Sequence, residues 1–176
     1  SGSVLTEAPN RGQTMLMLLD GLQPQGITTV IIDKHHLLPM LGIIAVAAPV
    51  LPVHVLESDD FETLGTIVTA VSDVPMGKNL LTVRVTTDSG KDYSLDIVQG
   101  ELRHLVIPKG VSAVLEFQPT GRTDIGFGSY GVGGQLRVTG SVLGVVIDAR
   151  GRPIRLPTED DTRIEQLQRW QWMLGS

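Results

Sequence analysis

The chain has 176 residues, 41% hydrophobic and 19% charged, enough to build one substantial domain, or two small ones sharing an interface, without help from a metal or a disulfide. It contains no cysteine, which excludes disulfide frameworks, zinc–thiolate sites and cysteine nucleophiles. A net charge of −5, a pI near 5.3 and only 4% aromatic residues argue against nucleic-acid binding, which needs a basic face and rings for bases to stack on.

The opening Ser1-Gly2-Ser3 reads as an expression scar, and no signal-peptide pattern follows it. Lack of cysteine and of such a signal fits a cytoplasmic protein. Residues 13–22, "QTMLMLLDGL", carry apolar side chains at 15, 16, 18, 19 and 22, the spacing of one helix face, and Pro24 and Gly26 end that helix. Residues 26–33, "GITTVIID", are β-branched and short, which predicts a strand buried on both faces. Residues 37–56, "LLPMLGIIAVAAPVLPVHVL", carry no acidic or basic charge apart from His54 and have the length of a membrane span. Pro39, Pro49 and Pro52 divide the run, so it reads as a buried helix over 37–48 and a buried strand at 53–56. The order helix, strand, helix, strand predicts a small parallel α/β layer over residues 4–62.

From residue 63 to 157 the texture becomes short β-type runs separated by turn residues, such as "LLTVRVTT", "KDYSLDIV" and "SAVLEFQ". "TTDSGKD" at 86–92 is a hairpin turn. Seven or eight strands at this spacing predict a mainly antiparallel β-barrel or sandwich. Residues 158–176 predict a C-terminal helix, with Thr158 as N-cap, Asp161 in the first turn and an apolar stripe of Ile164, Leu167, Trp170 and Leu174. The fold class expected is therefore α+β. The tryptophans, Trp170 and Trp172, lie about 200° apart on that helix. Trp170 is expected to pack on the β-structure with Trp172 half exposed; as an alternative, they mark a partner contact.

Two motifs invite a ligand. "DIGFGSYGVGGQL" at 124–136 matches Gly-x-Gly-x-x-Gly at Gly126, Gly128 and Gly131, a pattern that brings backbone N–H groups close to phosphates. A dinucleotide site needs a helix after the glycines, whereas "QLRVTGSVLGVVID" alternates like a strand. The local likeness to a kinase phosphate loop lacks the lysine strand, the His-Arg-Asp loop and the Asp-Phe-Gly motif. The stretch therefore reads as a turn between strands, with an anion-binding nest spanning residues 126–134 as the alternative. In "IDARGRPIRLP", Arg150 and Arg152 have the guanidinium geometry to grip a carboxylate or phosphate beside that nest; otherwise Asp148 binds turn N–H groups and the arginines pair with acids. "DKHHLL" at 33–38 begins like the Asp-x-His-x-x-Gly signature of cobalamin-binding domains but has Leu38 in place of the glycine. Asp33, His35, His36 and His54 lack the spacing of a metal site, and Asp33 is better placed to cap the next helix. No catalytic residue, cofactor site or metal site is assigned.

Three strings, "LTEAPNRGQTMLMLLDGLQPQGITTVIIDKHHLLPMLG", "VLESDDFETLGTIV" and "GSVLGVVIDARGRPIRLP", resemble the C-terminal portion of the accessory proteins of glutamate mutase (methylaspartate mutase), the MutL type that is unrelated to mismatch repair. The likeness runs over residues 5–174. It implies a parent protein with an actin-like ATPase region upstream and a role as a chaperone or reactivating factor for a cobalamin-dependent mutase. The phosphate-binding segments of the actin-like fold find no counterpart here. The resemblance thus implies a non-enzymatic interaction fragment, with the upstream region or the mutase as partner and no membrane or nucleic-acid ligand.

Overall fold

The computed structural model describes residues 5, 8–56, 58 and 60–175; Ser1 to Ser3 lie outside them. Helix α1 (Arg11–Leu22) starts where Gln13 N donates to the Asn10 side chain at 2.8 Å, and ends at Gln23, which turns left-handed at φ 44°. Strand β1 (Gly26–Asp33) follows, then α2 (Leu38–Ala47), α3 (Val50–Leu56) and β2 (Phe61–Thr69). Then come β3 (Val71–Ser72), β4 (Asn79–Thr87), β5 (Asp92–Val98), β6 (Leu102–Leu105), β7 (Ser112–Pro119) and β8 (Thr123–Asp124). Strands β9 (Gly134–Thr139) and β10 (Val145–Asp148) and helix α4 (Asp160–Met173) complete the chain.

The fold is α+β, with mostly antiparallel sheets. One four-stranded sheet runs β1-β2-β10-β6, a second β5-β4-β7-β9, and β3 pairs with β8. The pairs are antiparallel except for β10 on β2. No closed barrel forms among the described residues; the two larger sheets face each other as a sandwich. Alternation along the strands explains the layers. Val68, Val145 and Ile147 point from the first sheet into a core with Leu81, Val83, Val85, Leu115 and Phe117 of the second. Ile67 and Val146, one residue out of phase, point the other way onto Met15 and Leu19 of α1 and Trp170 and Leu174, at the end of α4. Strand β10 lies between the two cores and all four of its residues are buried.

Several expectations need correcting. Residues 53–56 are helical, not a strand. Pro52 is the third residue of α3, where the backbone N–H has no intrahelical partner to lose, so proline does not stop that helix. With no strand there, the parallel layer does not form, and β1 pairs antiparallel with β2 instead. Strand β1 is not buried on both faces: it lies at the sheet edge, with Ile32 buried and Ile31 51% exposed. Helix α4 takes Glu159 rather than Thr158 as N-cap, with Asp160 and Asp161 in the first turn. The turn around Gly90, at φ 86°, joins β4 to β5 as expected.

Candidate functional site

The arginines read as anion ligands are turned inward. Asp148 closes β10 on the side of the sheet that faces the helices, and its side chain has no solvent exposure. Its Oδ1 accepts from Arg150 N at 3.1 Å and Arg150 Nε at 2.9 Å, and its Oδ2 accepts from Arg150 Nη2 and Arg152 Nη2, each at 2.9 Å. Arg150 Nη1 reaches Asp20 of α1 at 2.7 Å, and its guanidinium lies 4.6 Å from the centre of the Trp170 ring. Arg152 gives its remaining donors to Pro24 O, Gly151 O and Thr69 Oγ1. Burial opposes ionisation of Asp148, yet the hydrogen bonds and charge of Arg150, then those of Arg152, outweigh it and hold the carboxyl below the usual range. Burial likewise works against the charge of Arg150, and Asp148 and Asp20 override it. The cluster joins β10, α1 and α4, and leaves neither guanidinium free to receive an outside anion.

The glycine loop runs from strand β8 to strand β9, with no helix after it. Gly126 N donates to Asp124 Oδ1 at 2.8 Å and Gly131 N to Thr123 O at 2.9 Å, so two of its amides already have acceptors, one of them a carboxylate. Phe127 packs on the sandwich core with its ring centroid 5.8 Å from that of Phe117. Gly126 needs to be glycine: its φ is 92°, and a Cβ would lie 2.7 Å from Gly26 Cα at the start of β1. Asp33 caps the next helix as expected, accepting from Leu37 N at 2.9 Å and Leu38 N at 2.8 Å. Desolvation raises its carboxyl, but the backbone donors Leu38, Leu37 and His35 pull it below the usual range. Among the described residues no three His, Asp or Glu side chains gather as a metal-binding set.

Of the two tryptophans, Trp170 is buried against Arg150, while Trp172 is 80% exposed. The largest departure from expectation is the segment between β1 and β2. Helices α2 and α3 form a hairpin in which only Leu41 and Pro52 are buried. Leu38, Met40, Ile43, Ile44, Val46, Val50, Leu51, Val53 and Leu56 are all exposed, Ile43 at 76% and Val46 at 89%. These are nine of the 21 exposed large apolar side chains among the described residues, gathered on one projection of the fold. The expected burial of 37–48 is therefore not met by the described residues. A helix apolar on every side signals burial against something; periodicity cannot say whether that cover belongs to the same chain. No described helix is long and apolar enough to cross a membrane.

The apolar surface continues past the hairpin. Strand β1 leads into α2 and, among the described residues, has a strand partner on one edge only. Beside it Leu18, Leu22, Pro24, Val30, Ile31 and Ile67 border a groove of about 250 Å3. Comparison with known protein families, with curated proteins and with solved structures finds no match.

Proposed function

We propose that this chain is a non-catalytic interaction module that docks a protein partner through the α2–α3 hairpin and the free edge of β1. The exposed apolar surface of the hairpin carries this reading. A fully exposed Val, Leu, Ile or Met residue presents roughly 160–200 Å2, so the nine fractions amount to on the order of 900 Å2, above the roughly 300–600 Å2 of the largest patch on a typical monomer. It also matches the ~800 Å2 that each side of a stable complex buries. A protein surface suits it better than a bilayer: ten residues of α2 rise only about 15 Å, half the ~30 Å of a hydrocarbon core.

The resemblance to mutase accessory proteins supplies the candidate partners, an upstream actin-like ATPase region or the cobalamin-dependent mutase itself, in the cytoplasm. Co-purification with each of these tests the reading. The Ile43→Glu/Val46→Glu double variant is expected to lose binding while keeping its fold by circular dichroism. Trp172→Ala reports separately on the exposed end of α4. Undiminished binding by the double variant would remove the hairpin from the contact surface. ATP hydrolysis by the isolated chain, abolished by a point change within it, would refute the non-catalytic reading.

A further inference from the structure

On the opposite side of the first sheet, β6 is the other edge strand, and it too has a strand partner on one side only among the described residues. Helix α4 lies along this edge. Between α4 and the β5–β6 turn runs an open groove of about 530 Å3, bordered among others by Met76, Val98, Leu102, Gln166, Trp170 and Met173. That volume falls within the range of about 300–1,000 Å3 usual for ligand sites.

Three buried side-chain polar atoms among the described residues have no hydrogen-bond partner: Glu62 Oε2, Gln99 Oε1 and Arg103 Nε. Glu62 Oε2 still has the charge of Arg11 at 3.1 Å. The other two belong to residues that border the groove. Gln99 is 8% exposed, and a buried amide oxygen without a donor is destabilising. Nothing in the sandwich or the helix packing satisfies it.

We propose that this groove binds an extended peptide segment of another protein, which adds a strand to the free edge of β6 beneath α4. A peptide unit supplies an N–H for Gln99 Oε1 and a C=O for Arg103 Nε, whose guanidinium is otherwise paired with Glu101. Whichever way the Gln99 amide is turned, the peptide offers it the complementary group. Main-chain pairing along the edge provides affinity, and alternate side chains of the guest enter the groove. The four residues of β6 pair with about 13 Å of extended peptide. Met76 and Met173 form flexible apolar lips that adapt to different side chains. Both partnerless atoms are closed to water, and the Met76 methyl lies over Gly100, so close that a Cβ there would sit 2.7 Å from it. The guest reaches Gln99 as the exposed Met76 side chain swings aside. This site is separate from the hairpin and stands whether or not the hairpin docks a partner.

The test is selection of random short peptides on the intact chain, followed by fluorescence anisotropy with the selected sequences. Gln166→Trp, a change on an exposed-to-half-buried helix position, fills the groove and is expected to weaken binding at least about tenfold. Ile43→Glu/Val46→Glu and Trp172→Ala are expected to leave it unchanged. N-methylation of successive peptide amides should abolish binding at every second position, the signature of one edge of a strand. Failure to enrich any peptide would overturn the proposal. So would insensitivity to Gln166→Trp with the fold intact by circular dichroism, loss of binding in the hairpin variant, or an N-methylation profile without the two-residue period. Saturable stabilisation by a small primary amide with no peptide binding would also overturn it, since it would assign the groove to a small molecule.

Discussion

At the scale of single residues, Asp148 and Arg150 are the pair on which the packing of the helices depends. Both side chains are without solvent exposure, and removing the Arg150 side chain leaves buried Asp148 with Arg152 alone and deprives it of two of its four donors. Arg150→Met, which leaves Arg152 on Asp148, is therefore expected to cost about 2–4 kcal/mol in urea denaturation, somewhat below the cost of a fully uncompensated buried charge; a loss below about 1 kcal/mol would mean that the pair is no more than a surface bridge. The pH dependence has a definite sign. The Asp148 carboxyl is depressed in the folded chain, so its contribution is present above the unfolded pKa of about 3.9 and is lost as pH falls through the lower folded-state value. Below about pH 4 the wild type should lose stability more steeply than Asp148→Asn, which has no such proton to take up. Parallel acid-denaturation profiles for the two would contradict this. Sequence alone shows Asp148, Arg150 and Arg152 close together in one turn, hence the choice between an anion grip and acid pairing. It does not show that the turn follows a strand buried on both faces, and that burial is what commits the guanidinium groups to Asp148.

Among the elements, α1 and α4 meet at Gly12, where a Cβ would stand 2.2 Å from the Leu174 carbonyl oxygen. That neighbour is backbone and cannot rotate away, so Gly12→Ala should destabilise by about 1–3 kcal/mol despite alanine's better helix propensity. A stabilised variant in thermal melts would show that the helices separate freely. The hairpin should respond in the opposite way. Ile43 and Val46 are 76% and 89% exposed, so the double glutamate variant should change stability by no more than about 0.5 kcal/mol while lowering the binding of a hydrophobic dye. Local signals made much of this level legible: Pro24 ends α1, glycine marks the β4–β5 turn, and Leu167, Trp170 and Leu174 of the expected stripe form the inner face of α4, whereas Ile164, expected with them, is 50% exposed. They misled at 53–56, where β-branched valines suggest a strand but Pro52 fits a first helical turn and no strand lies alongside to pair. Propensity is overruled there by tertiary context.

For the whole molecule, two helices cover one face of a sheet, a second sheet covers the other, and an apolar hairpin projects from between β1 and β2. The α+β class follows from the change of hydrophobic period along the chain. Which strands pair depends on contacts far apart in sequence, and so the expected parallel layer gave way to one sheet that draws on both halves of the chain. The groove beside β6 left no trace in the sequence, because Gln99 and Arg103 belong to an ordinary turn and strand until α4 is laid over them. Exposure of the hairpin follows only once the fold shows that none of the described residues covers it. Hydrogen–deuterium exchange over residues 38–56 tests the docking surface most directly, comparing the chain alone with the chain bound to the ATPase region or the mutase. Fast exchange when alone and strong protection in the complex are expected. Unchanged exchange there, with protection confined to α4 or the glycine loop, would contradict the hairpin as the contact.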